Sequence, residues 1–287
     1  MTDLVLDELK KPLPSWHPKA WYYAAMRHLI RWMHPLSKGL SIGVEHGFDS
    51  GVMLDHVYEN RAEGRGPLGR MIDRVFLDAP GWVGIRNRGQ LVQAAACDAI
   101  REAHARVASG EGRPVVFYDL ACGGGRYAVG ALAEVRDLPV SAVLRDYREE
   151  NVARAKANAR HAGVSPVCER ADAFSDEDLG RLPAADVVVV SGLHEIVDDD
   201  TTVRRHFDQI VRLLRPGGVL IQTIQPTHPQ LEFIARVLTS HTGRPWAMRL
   251  RPESLTRGWM EAAGFEIRSV TMEEKGIFGV VIAERRS

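Results

Sequence analysis

The stretch Phe117-Tyr118-Asp119-Leu120-Ala121-Cys122-Gly123-Gly124-Gly125-Arg126 decides the fold, because it indicates a buried strand that runs through a glycine loop into a helix. Glycine lets the backbone take positive φ and come within contact distance of a ligand. The helix that follows presents unpaired N–H groups to a carboxylate or a phosphate. The stretch therefore predicts a binding site for a ligand that carries an anionic or polar group, and a tight turn without a ligand is the alternative.

Downstream of Pro114, apolar runs of strand length alternate with segments of helical periodicity, which predicts an α/β fold with a mostly parallel sheet. The predicted strands are Val115–Asp119, Val140–Arg145, Val164–Glu169, Asp186–Val190, Val219–Ile224, Phe265–Thr271 and Ile277–Glu284. Only about five residues separate the last two strands, too few for a crossover helix, so these two strands should pair antiparallel.

A boundary between two domains is predicted near Gly110, where Ser109-Gly110-Glu111-Gly112-Arg113-Pro114 interrupts any helix. Residues 1–110 are predicted to form a helical region that lies over the acceptor side as a lid. Residues 111–287 are predicted to form the cofactor-binding domain. The lid is expected to shape the choice of acceptor.

The N-terminal region carries two helical patterns. Apolar residues recur at helical spacing from Trp21 to Met33, and Pro35 ends the run. This amphipathic helix is expected to dock on its own domain, and a membrane-surface or partner helix is the alternative. A second helix is predicted over 90–107, and the stretches 46–51 and 81–86 are predicted to be structured loops.

Composition and charge limit the class of protein. The chain of 287 residues is 45% hydrophobic, which fits a folded globular protein, and its 37 basic residues balance 37 acidic ones. This balance disfavours nucleic acid as a partner. The three cysteines form no CxxC pair, and residues 1–15 lack the apolar stretch of a signal peptide. No apolar run approaches the roughly 20 residues of a membrane span, so a cytoplasmic location without a span is expected.

Three acidic residues, each after a predicted strand, distinguish between ligands of the glycine loop. Asp119 can attract an ammonium group, which the amino-acid end of S-adenosylmethionine has and a dinucleotide pyrophosphate lacks. Asp146 is placed to accept from both ribose hydroxyls, and Asp172 could accept from the adenine amino group. A helix cap or a solvated loop is the alternative for each acid. Gly123, Gly125 and Ala128 also satisfy the looser dinucleotide fingerprint. An NAD-dependent oxidoreductase therefore remains an alternative function.

Together with Asp119-x-Ala121-Cys122-Gly123-x-Gly125, Asp146 and Asp172, the stretch 214–218 resembles the class I S-adenosylmethionine-dependent methyltransferases. The resemblance covers residues 113–287, and Ala121 replaces the more usual first glycine. It implies a Rossmann-like seven-stranded methyltransferase sheet with a reversed terminal strand, here with an N-terminal, mainly helical extension. S-adenosyl-L-methionine is the implied cofactor and S-adenosyl-L-homocysteine its product. The expected cofactor contacts are Asp119, Ala121, Gly123, Gly125, Asp146, Tyr147, Asp172, Ala173 and Ser191.

A narrower resemblance extends into the N-terminal half. The motifs His46-Gly47-Phe48-Asp49-Ser50-Gly51, Leu54-Asp55-x-Val57-Tyr58, Gly81-Trp82-x-Gly84-Ile85-Arg86 and His228-Pro229-Gln230 are similar to a bacterial group of methyltransferases that are often fused behind α/β-hydrolase domains. This likeness suggests a hydrolase partner and a lipid-like or small-molecule acceptor by analogy. An oligomer stays open.

The acceptor side is expected at the carboxyl ends of the fourth and fifth strands. His194 and His228 follow these strands and are the predicted catalytic bases, since a hydroxyl acceptor benefits from a base near neutrality. Packing against the cofactor is the alternative for His194, and helix capping is the alternative for His228. The predicted substrate contacts are His46, Asp49, Tyr58, Arg86, Gln225 and Arg249.

No metal is expected. The run Asp198-Asp199-Asp200 could hold Mg²⁺, but it stands before a predicted helix and is better explained as capping. Arg249 and Arg251 could hold an anionic acceptor, or they could lie on a solvated edge. The leading hypothesis is methyl transfer to a small-molecule or lipid-like metabolite, with oxygen weakly preferred over nitrogen. A non-catalytic S-adenosylmethionine-binding regulatory module is a further alternative.

Overall fold

One mixed sheet of seven strands organises the computed structural model of the chain, which describes residues 8–9, 11–110 and 112–286. The strands are β1 Val115–Asp119, β2 Val140–Asp146, β3 Val167–Arg170, β4 Ala185–Val190, β5 Leu214–Ile224, β6 Phe265–Met272 and β7 Gly279–Arg285. They lie in the order β3-β2-β1-β4-β5-β7-β6, and β7 is antiparallel to both of its neighbours. The predicted Rossmann-like sheet with a reversed terminal strand is confirmed.

The chain divides into two compact units, and the sheet belongs to the unit formed by 87–226 and 251–287. Its helices are the greater part of α5 Pro80–Ala108, then α6 Arg126–Glu134, α7 Glu149–Ala162, α8 Asp176–Gly180, α9 Asp200–Leu213 and α11 Glu253–Ala263. Alternate residues of β1 point to opposite faces of the sheet. Phe117 packs in a core with Ile100 of α5, and Tyr118 packs in a second core with Phe207 of α9.

Two predicted strand boundaries differ from the structure by three residues or more. The third strand begins at Val167 rather than Val164, because Val164 donates a backbone hydrogen bond to Ala159 at the end of α7. The glycine-rich stretch 215–218, which precedes the predicted fifth strand, belongs to β5. A register shift near Ala185 lets Leu214 pair with that residue and lengthens the strand.

The other unit comprises 1–86 and 227–250. Its helices are α1 Pro18–Met33, α2 Lys38–His46, α3 Gly51–Glu59, α4 Gly66–Leu77, the first turns of α5 and α10 Leu231–Val237. The two segments are joined directly, since the Phe48 amide donates to the Thr239 carbonyl at 2.9 Å. The functional division into a lid of residues 1–110 and a cofactor domain of residues 111–287 stays a prediction. Residues 1–7, part of the stretch expected to carry no signal peptide, lie outside the described residues.

Two predictions for the N-terminal region are wrong. The stretch 81–86 is helical rather than a loop, because Pro80 begins α5, a position at which proline needs no N–H partner. In α1, Trp21 and Leu29 of the apolar pattern are exposed, while Arg27 is half-buried. The predicted apolar face therefore points outward. The inward side includes Arg27, whose Nη1 atom donates to the Arg236 carbonyl at 2.7 Å.

Within the described part of the chain, no helix combines the length and the apolar character that crossing a bilayer requires.

Candidate functional site

Hydrogen bonds join the glycine loop between β1 and α6 to the end of β2. The Gly123 amide donates to Asp146 Oδ2 at 2.9 Å, and the Cys122 amide donates to the Arg145 carbonyl at 2.8 Å. Gly123 and Gly125 have φ of 54° and 70°, a region that L residues with a Cβ avoid. A Cβ on Gly123 would meet nothing within 4 Å. The loop therefore presents backbone to an open space, as a ligand cradle requires.

Asp119 ends β1 immediately before this loop and is fully buried. Its Oδ1 atom accepts from the Ala121 amide at 3.3 Å, and its Oδ2 atom has no hydrogen-bond partner among the described residues. Burial raises the pKa of Asp119 to about 7, against weaker contributions from the Tyr127 hydroxyl and the Ala121 amide. A buried carboxylate oxygen without a partner is costly, so a cationic ligand at this position would stabilise it.

Asp146, at the end of β2, has a well-satisfied carboxylate. Besides the Gly123 amide it accepts from the Arg148 amide at 2.9 Å and from Asn151 Nδ2 at 3.0 Å. The side chain is half-buried. Asp146 therefore shapes the loop, and its remaining lone pairs can still accept from a ligand hydroxyl.

The remaining predicted cofactor residues surround the carboxyl ends of β2, β3 and β4. Tyr147 is exposed, and the Arg170 guanidinium lies 5.5 Å from its ring centroid. Asp172 is exposed and accepts from the Phe174 amide at 2.9 Å, so its turn geometry agrees with the loop-solvation alternative. Ala173 is half-buried beside it. Ser191, directly after β4, is buried and its Oγ atom has no partner among the described residues.

A buried polar cluster at the ends of β4 and β5 was not predicted from the sequence. The Thr223 hydroxyl accepts from the Gly192 amide at 2.8 Å and donates to Glu195 Oε1 at 2.6 Å. Arg88 Nη1 lies 3.8 Å from the same Glu195 oxygen, while Glu195 Oε2 has no partner in the described part of the chain. Burial raises the pKa of Glu195, and Arg88 acts against this rise. We name Arg88, Glu195 and Thr223 the acceptor-edge cluster.

The signal for this cluster was present but weak. Glu195 directly follows the histidine predicted to be a base, and a glutamate is seldom fully buried unless it is paired. Thr223 is 28 residues away and Arg88 is far upstream. No spacing rule joins three such distant positions.

His194 lies in the core rather than on an open surface. Its Nε2 atom is 2.7 Å from His206 Nδ1, and its ring packs edge-on against Phe207 with centroids 4.9 Å apart. Burial drives the pKa of His194 well below its usual 6.5 and lowers that of His206 to about 3. Both rings are therefore neutral near pH 7. The sequence did not single out His206.

His228 belongs to the helical unit and is buried. Its Nδ1 atom accepts from the Gln230 amide at 3.1 Å, a local turn bond. Helix α10 begins only at Leu231 and its cap, Gln230, makes no side-chain hydrogen bond, so His228 is not the helix cap. Burial lowers the pKa of His228 to about 4. Its Nε2 atom lies so close to Gly81 that a Cβ there would approach it to 2.7 Å.

The predicted substrate residues of the helical unit are spread over several contacts. Asp49 Oδ2 is 2.9 Å from His241 Nδ1, and Arg86 Nη1 donates to the Leu77 carbonyl at 3.0 Å. His46 is exposed at the end of α2. Tyr58 and Arg249 are half-buried. The hydrogen bonds of Asp49 and Arg86 are structural and do not join these two side chains to one another.

Gln225 and Arg251 meet in the sheet unit. The Arg251 amide donates to the Gln225 carbonyl at 3.3 Å, and both side chains are buried. The Arg251 guanidinium donates to the His194 carbonyl at 2.7 Å and to Asp200 Oδ1 at 2.9 Å. The solvated-edge alternative is therefore wrong for Arg251, because its guanidinium is buried and holds the loop after β4.

The acidic run before α9 behaves as a helix start. Asp199 is the N-cap and accepts from the Thr201 amide at 3.2 Å and from the Thr202 amide at 2.8 Å. Negative charge at this end of a helix is favourable. Across residues 8–9, 11–110 and 112–286, no group of three or more His, Cys, Asp or Glu side chains could hold a metal ion.

The residues around the glycine loop fit S-adenosylmethionine. The unpaired Asp119 Oδ2 atom suits the ammonium of an amino acid, and the open space at Gly123 suits a close backbone contact. Nine-residue α6 begins beside the loop at Arg126, with Gly125 as its N-cap and no side-chain cap. The N-terminal end of this helix, which favours a negatively charged group, therefore lies beside the loop.

Comparisons with known proteins identify the family and the fold. The family model described as "Putative methyltransferase" matches residues 2–285, and the chain belongs to this family. The uncharacterized protein YnbC of Escherichia coli strain K12 is 39% identical over 271 residues, a match that covers 92% of this chain and 45% of that protein. The chain thus spans less than half the length of this curated relative.

Two solved structures share the fold. One, described as a possible exported protein from Bordetella parapertussis, is 19% identical with a TM-score of 0.57 and covers 95% of this chain and 100% of that chain. The other is magnesium protoporphyrin IX methyltransferase from Synechocystis PCC 6803 with bound SAH; it is 16% identical with a TM-score of 0.53, and the match covers 84% and 98% of the two chains. At these identities the likeness concerns the fold.

Fold, glycine loop and family together define a class I S-adenosylmethionine-dependent methyltransferase. The predicted enzyme class and cofactor are confirmed at this level.

Proposed function

We propose that this enzyme transfers the methyl group of S-adenosylmethionine to a small-molecule or lipid-like metabolite, with oxygen weakly preferred over nitrogen as the acceptor atom. The observation that carries the proposal is the buried Asp119 carboxylate, whose Oδ2 atom lacks a partner in the described part of the chain beside the open glycine loop. The even charge of the chain supports a small acceptor over a nucleic acid.

Three side chains of the sheet unit would hold the cofactor. Asp119 would pair with its ammonium group, Asp146 would accept from the ribose hydroxyls, and Asp172 would accept from the adenine amino group. Bound in this way, the cofactor supplies a methyl group on a positively charged sulfur. The protein must then place an acceptor nucleophile in line with that methyl group and exclude water.

Glu195 is the group we infer to take the proton of the acceptor. Thr223 and Arg88 hold its Oε1 atom, which leaves the buried Oε2 atom to accept from an acceptor O–H or N–H group. The raised pKa of Glu195 brings the carboxylate closer to neutrality, where a base acts best. The bond from the acceptor to the methyl group would form as the sulfur–methyl bond breaks, leaving the methylated acceptor, S-adenosylhomocysteine and a proton on Glu195.

The two histidines predicted as bases stay predictions. His194 Nδ1 lacks a partner in the described residues, but the strongly lowered pKa of this ring makes it a weak proton acceptor. His228 Nδ1 already accepts from the Gln230 amide. The lid role of residues 1–110, the predicted substrate contacts of that region and the hydrolase partner also stay predictions.

Calorimetric titration tests cofactor use directly. S-adenosylmethionine and S-adenosylhomocysteine should bind the wild type, and at about 100 times the dissociation constant they should add about 2.7 kcal/mol of stability. Asp146→Ala should weaken both ligands. Binding of NAD instead of these ligands would identify an oxidoreductase and overturn the proposal.

Methyl transfer is tested with labelled S-adenosylmethionine and extracts of small metabolites and lipids. Label should enter the extract with the wild type and not with Asp146→Ala. Tight cofactor binding without any transfer would favour the non-catalytic module. Label that enters added tRNA instead would overturn the choice of a small acceptor.

A further inference from the structure

Helix α1 turns aromatic side chains toward solvent. Trp21 is 70% exposed and Trp32 is 74% exposed, and Tyr22 and Leu29 are exposed between them. At about 100° per residue these four side chains occupy one arc of roughly 100° on the helix surface. Trp16, just before the helix, is exposed as well. Exposed apolar patches of this kind mark interaction sites more often than they mark ordinary surface.

The opposite side of α1 is fixed within its own unit. Tyr23 is buried, Arg27 donates to the Arg236 carbonyl of α10 at 2.7 Å, and Lys19 pairs with Glu232 at 2.7 Å. The helix therefore docks through its more polar side. The aromatic face is defined as Trp21, Tyr22, Leu29 and Trp32. Its four side chains remain largely exposed, although the Trp21 indole N–H donates to the nearby Ser15 carbonyl at 2.7 Å.

Charge indicates what covers the aromatic face. Helix α1 contains Lys19, Arg27 and Arg31 and no acidic residue. Arg31 falls on one flank of the aromatic face, roughly 130° from its centre. Lys19 on the other flank is already paired with Glu232, so Arg31 is the flanking basic residue that counts toward lipid. The helical unit holds 14 basic and 11 acidic residues, whereas the sheet unit holds 23 and 26. The one unit that carries the exposed aromatic face is thus also the basic one.

We propose that the aromatic face of α1 binds the surface of an anionic lipid bilayer. Tryptophan and tyrosine rings prefer the headgroup region because one part of each ring is apolar and another carries a polar group. Basic side chains beside such a face add attraction to anionic lipid, about 1 kcal/mol each near the surface. The helix lies on the bilayer and does not cross it. The proposal does not depend on the identity of the methyl acceptor.

Vesicle flotation of the full chain tests the proposal. Wild type should float with vesicles of phosphatidylcholine and phosphatidylglycerol, bind vesicles of phosphatidylcholine alone more weakly, and lose binding as salt rises. The double variant Trp21→Ser, Trp32→Ser should bind the anionic vesicles at least tenfold more weakly. No cofactor is added, so the result is independent of methyl transfer.

Leu68→Ser, Val75→Ser is the matched control, since both residues are exposed on α4 of the same unit. This control should bind vesicles as the wild type does, and equal loss in both double variants would overturn the assignment to α1. Arg31→Glu keeps the aromatic face and should weaken binding several-fold. All changed residues are exposed, so thermal unfolding should be unchanged.

Two results would overturn the proposal outright. One is a wild type that fails to bind anionic vesicles. The other is a wild type that sediments at twice its mass of 31.9 kDa and becomes monomeric when Trp21 and Trp32 are changed, because a second copy would then cover the aromatic face.

Discussion

Asp119 and Glu195 lie at the ends of two neighbouring strands of one sheet, and their surroundings differ in one respect. Both carboxylates are buried, and each has one oxygen without a partner among the described residues. Glu195 has the Arg88 guanidinium 3.8 Å away and the Thr223 hydroxyl bound to it. In the described part of the chain, the Tyr127 hydroxyl and the Ala121 amide stabilise the Asp119 carboxylate, and the charge of Asp146 destabilises it.

This difference separates two tasks. A buried carboxylate that has no cation nearby gains most from a ligand that brings one. A carboxylate that already has a guanidinium beside it gains less from a cation and can instead receive a proton through its second oxygen. We therefore expect changes at Asp119 to act on cofactor affinity and changes at Glu195 to act on turnover.

The largest expected effect is on turnover. Glu195→Gln removes the proton acceptor but keeps the shape, and it should lower the rate of label transfer by roughly a hundredfold to ten-thousandfold. The dissociation constant of the cofactor should be unchanged. Rates measured across pH should lose the limb that rises as the Glu195 carboxyl ionises.

Glu195→Asp serves as the control for this change, because a carboxylate is retained and part of the rate should return. If Glu195→Gln keeps both its rate and its rising limb, the base is another group, and single Asn variants of His194 and His228 would then be compared.

The next effect is on cofactor affinity. Asp119→Asn should weaken S-adenosylmethionine about a hundredfold in a calorimetric titration, since the amide leaves a buried ligand ammonium without its counter-charge. Asp172→Asn is the control, because this acid is exposed, and it should weaken the affinity for S-adenosylmethionine only a few-fold.

The affinity for the cofactor should also depend on pH. Because the pKa of Asp119 is about 7 without ligand, its carboxyl is largely protonated below pH 7 and must lose the proton to pair with an ammonium. Wild-type affinity should weaken by up to tenfold for each pH unit below about 7. The Asp119→Asn change should remove this dependence, and a dependence that persists would place the titrating group elsewhere.

A smaller effect is expected on stability. The pKa of Asp119 rises from 3.8 to about 7 on folding, so the folded chain binds the extra proton between these values and stability is lost as pH rises through about 7. Asp119→Asn should therefore raise the free energy of unfolding by about 2 kcal/mol at about pH 8, allowing for relaxation around the charge. Unchanged thermal unfolding at that pH would contradict the burial of an unpaired carboxylate.

The smallest expected effect concerns the buried pair of His194 and His206, which should lower stability in acid, whereas Asp119 lowers it in base. The pKa of His206 falls from 6.5 to about 3 on folding, so the stability it supports is present above about pH 6.5 and is lost as pH falls toward 3. Near about pH 5.5 this loss should be about 1 kcal/mol. His206→Gln should flatten the acid side of the stability profile in denaturant titrations, and an unaltered profile would show that His206 does not control it.

Local patterns located the cofactor side because its parts are close in sequence. Asp119, the glycine loop and the N-terminus of α6 lie within one strand-loop-helix unit, and the run of four valines in β4 is recognisable by itself. Asp146 follows from the alternation of strands and helices. Apart from the start of β5, the predicted strand ends lie within about three residues of the observed ones, which is the usual precision of such patterns.

The acceptor-edge cluster and the helical unit could not be found in this way. Glu195 and Thr223 meet only because β4 and β5 are neighbours in the sheet. The segment 227–250 joins a unit whose other residues lie before position 87. Contacts of this kind depend on which strands and segments become neighbours, and local periodicity does not determine this.

The amino-acid sequence by itself determined the sheet, its reversed last strand and the glycine loop with its acids, because hydrophobic period and glycine conformation act over a few residues. Tertiary structure alone decided that His194 faces His206, that Glu195 keeps an unpaired buried oxygen among the described residues, and that α1 turns its aromatic side outward. In α1 the spacing of apolar residues defined an apolar face, but it did not determine whether that face points to the protein or to solvent. Hydrogen bonds and an ion pair to the distant helix α10 fixed the polar side inward instead.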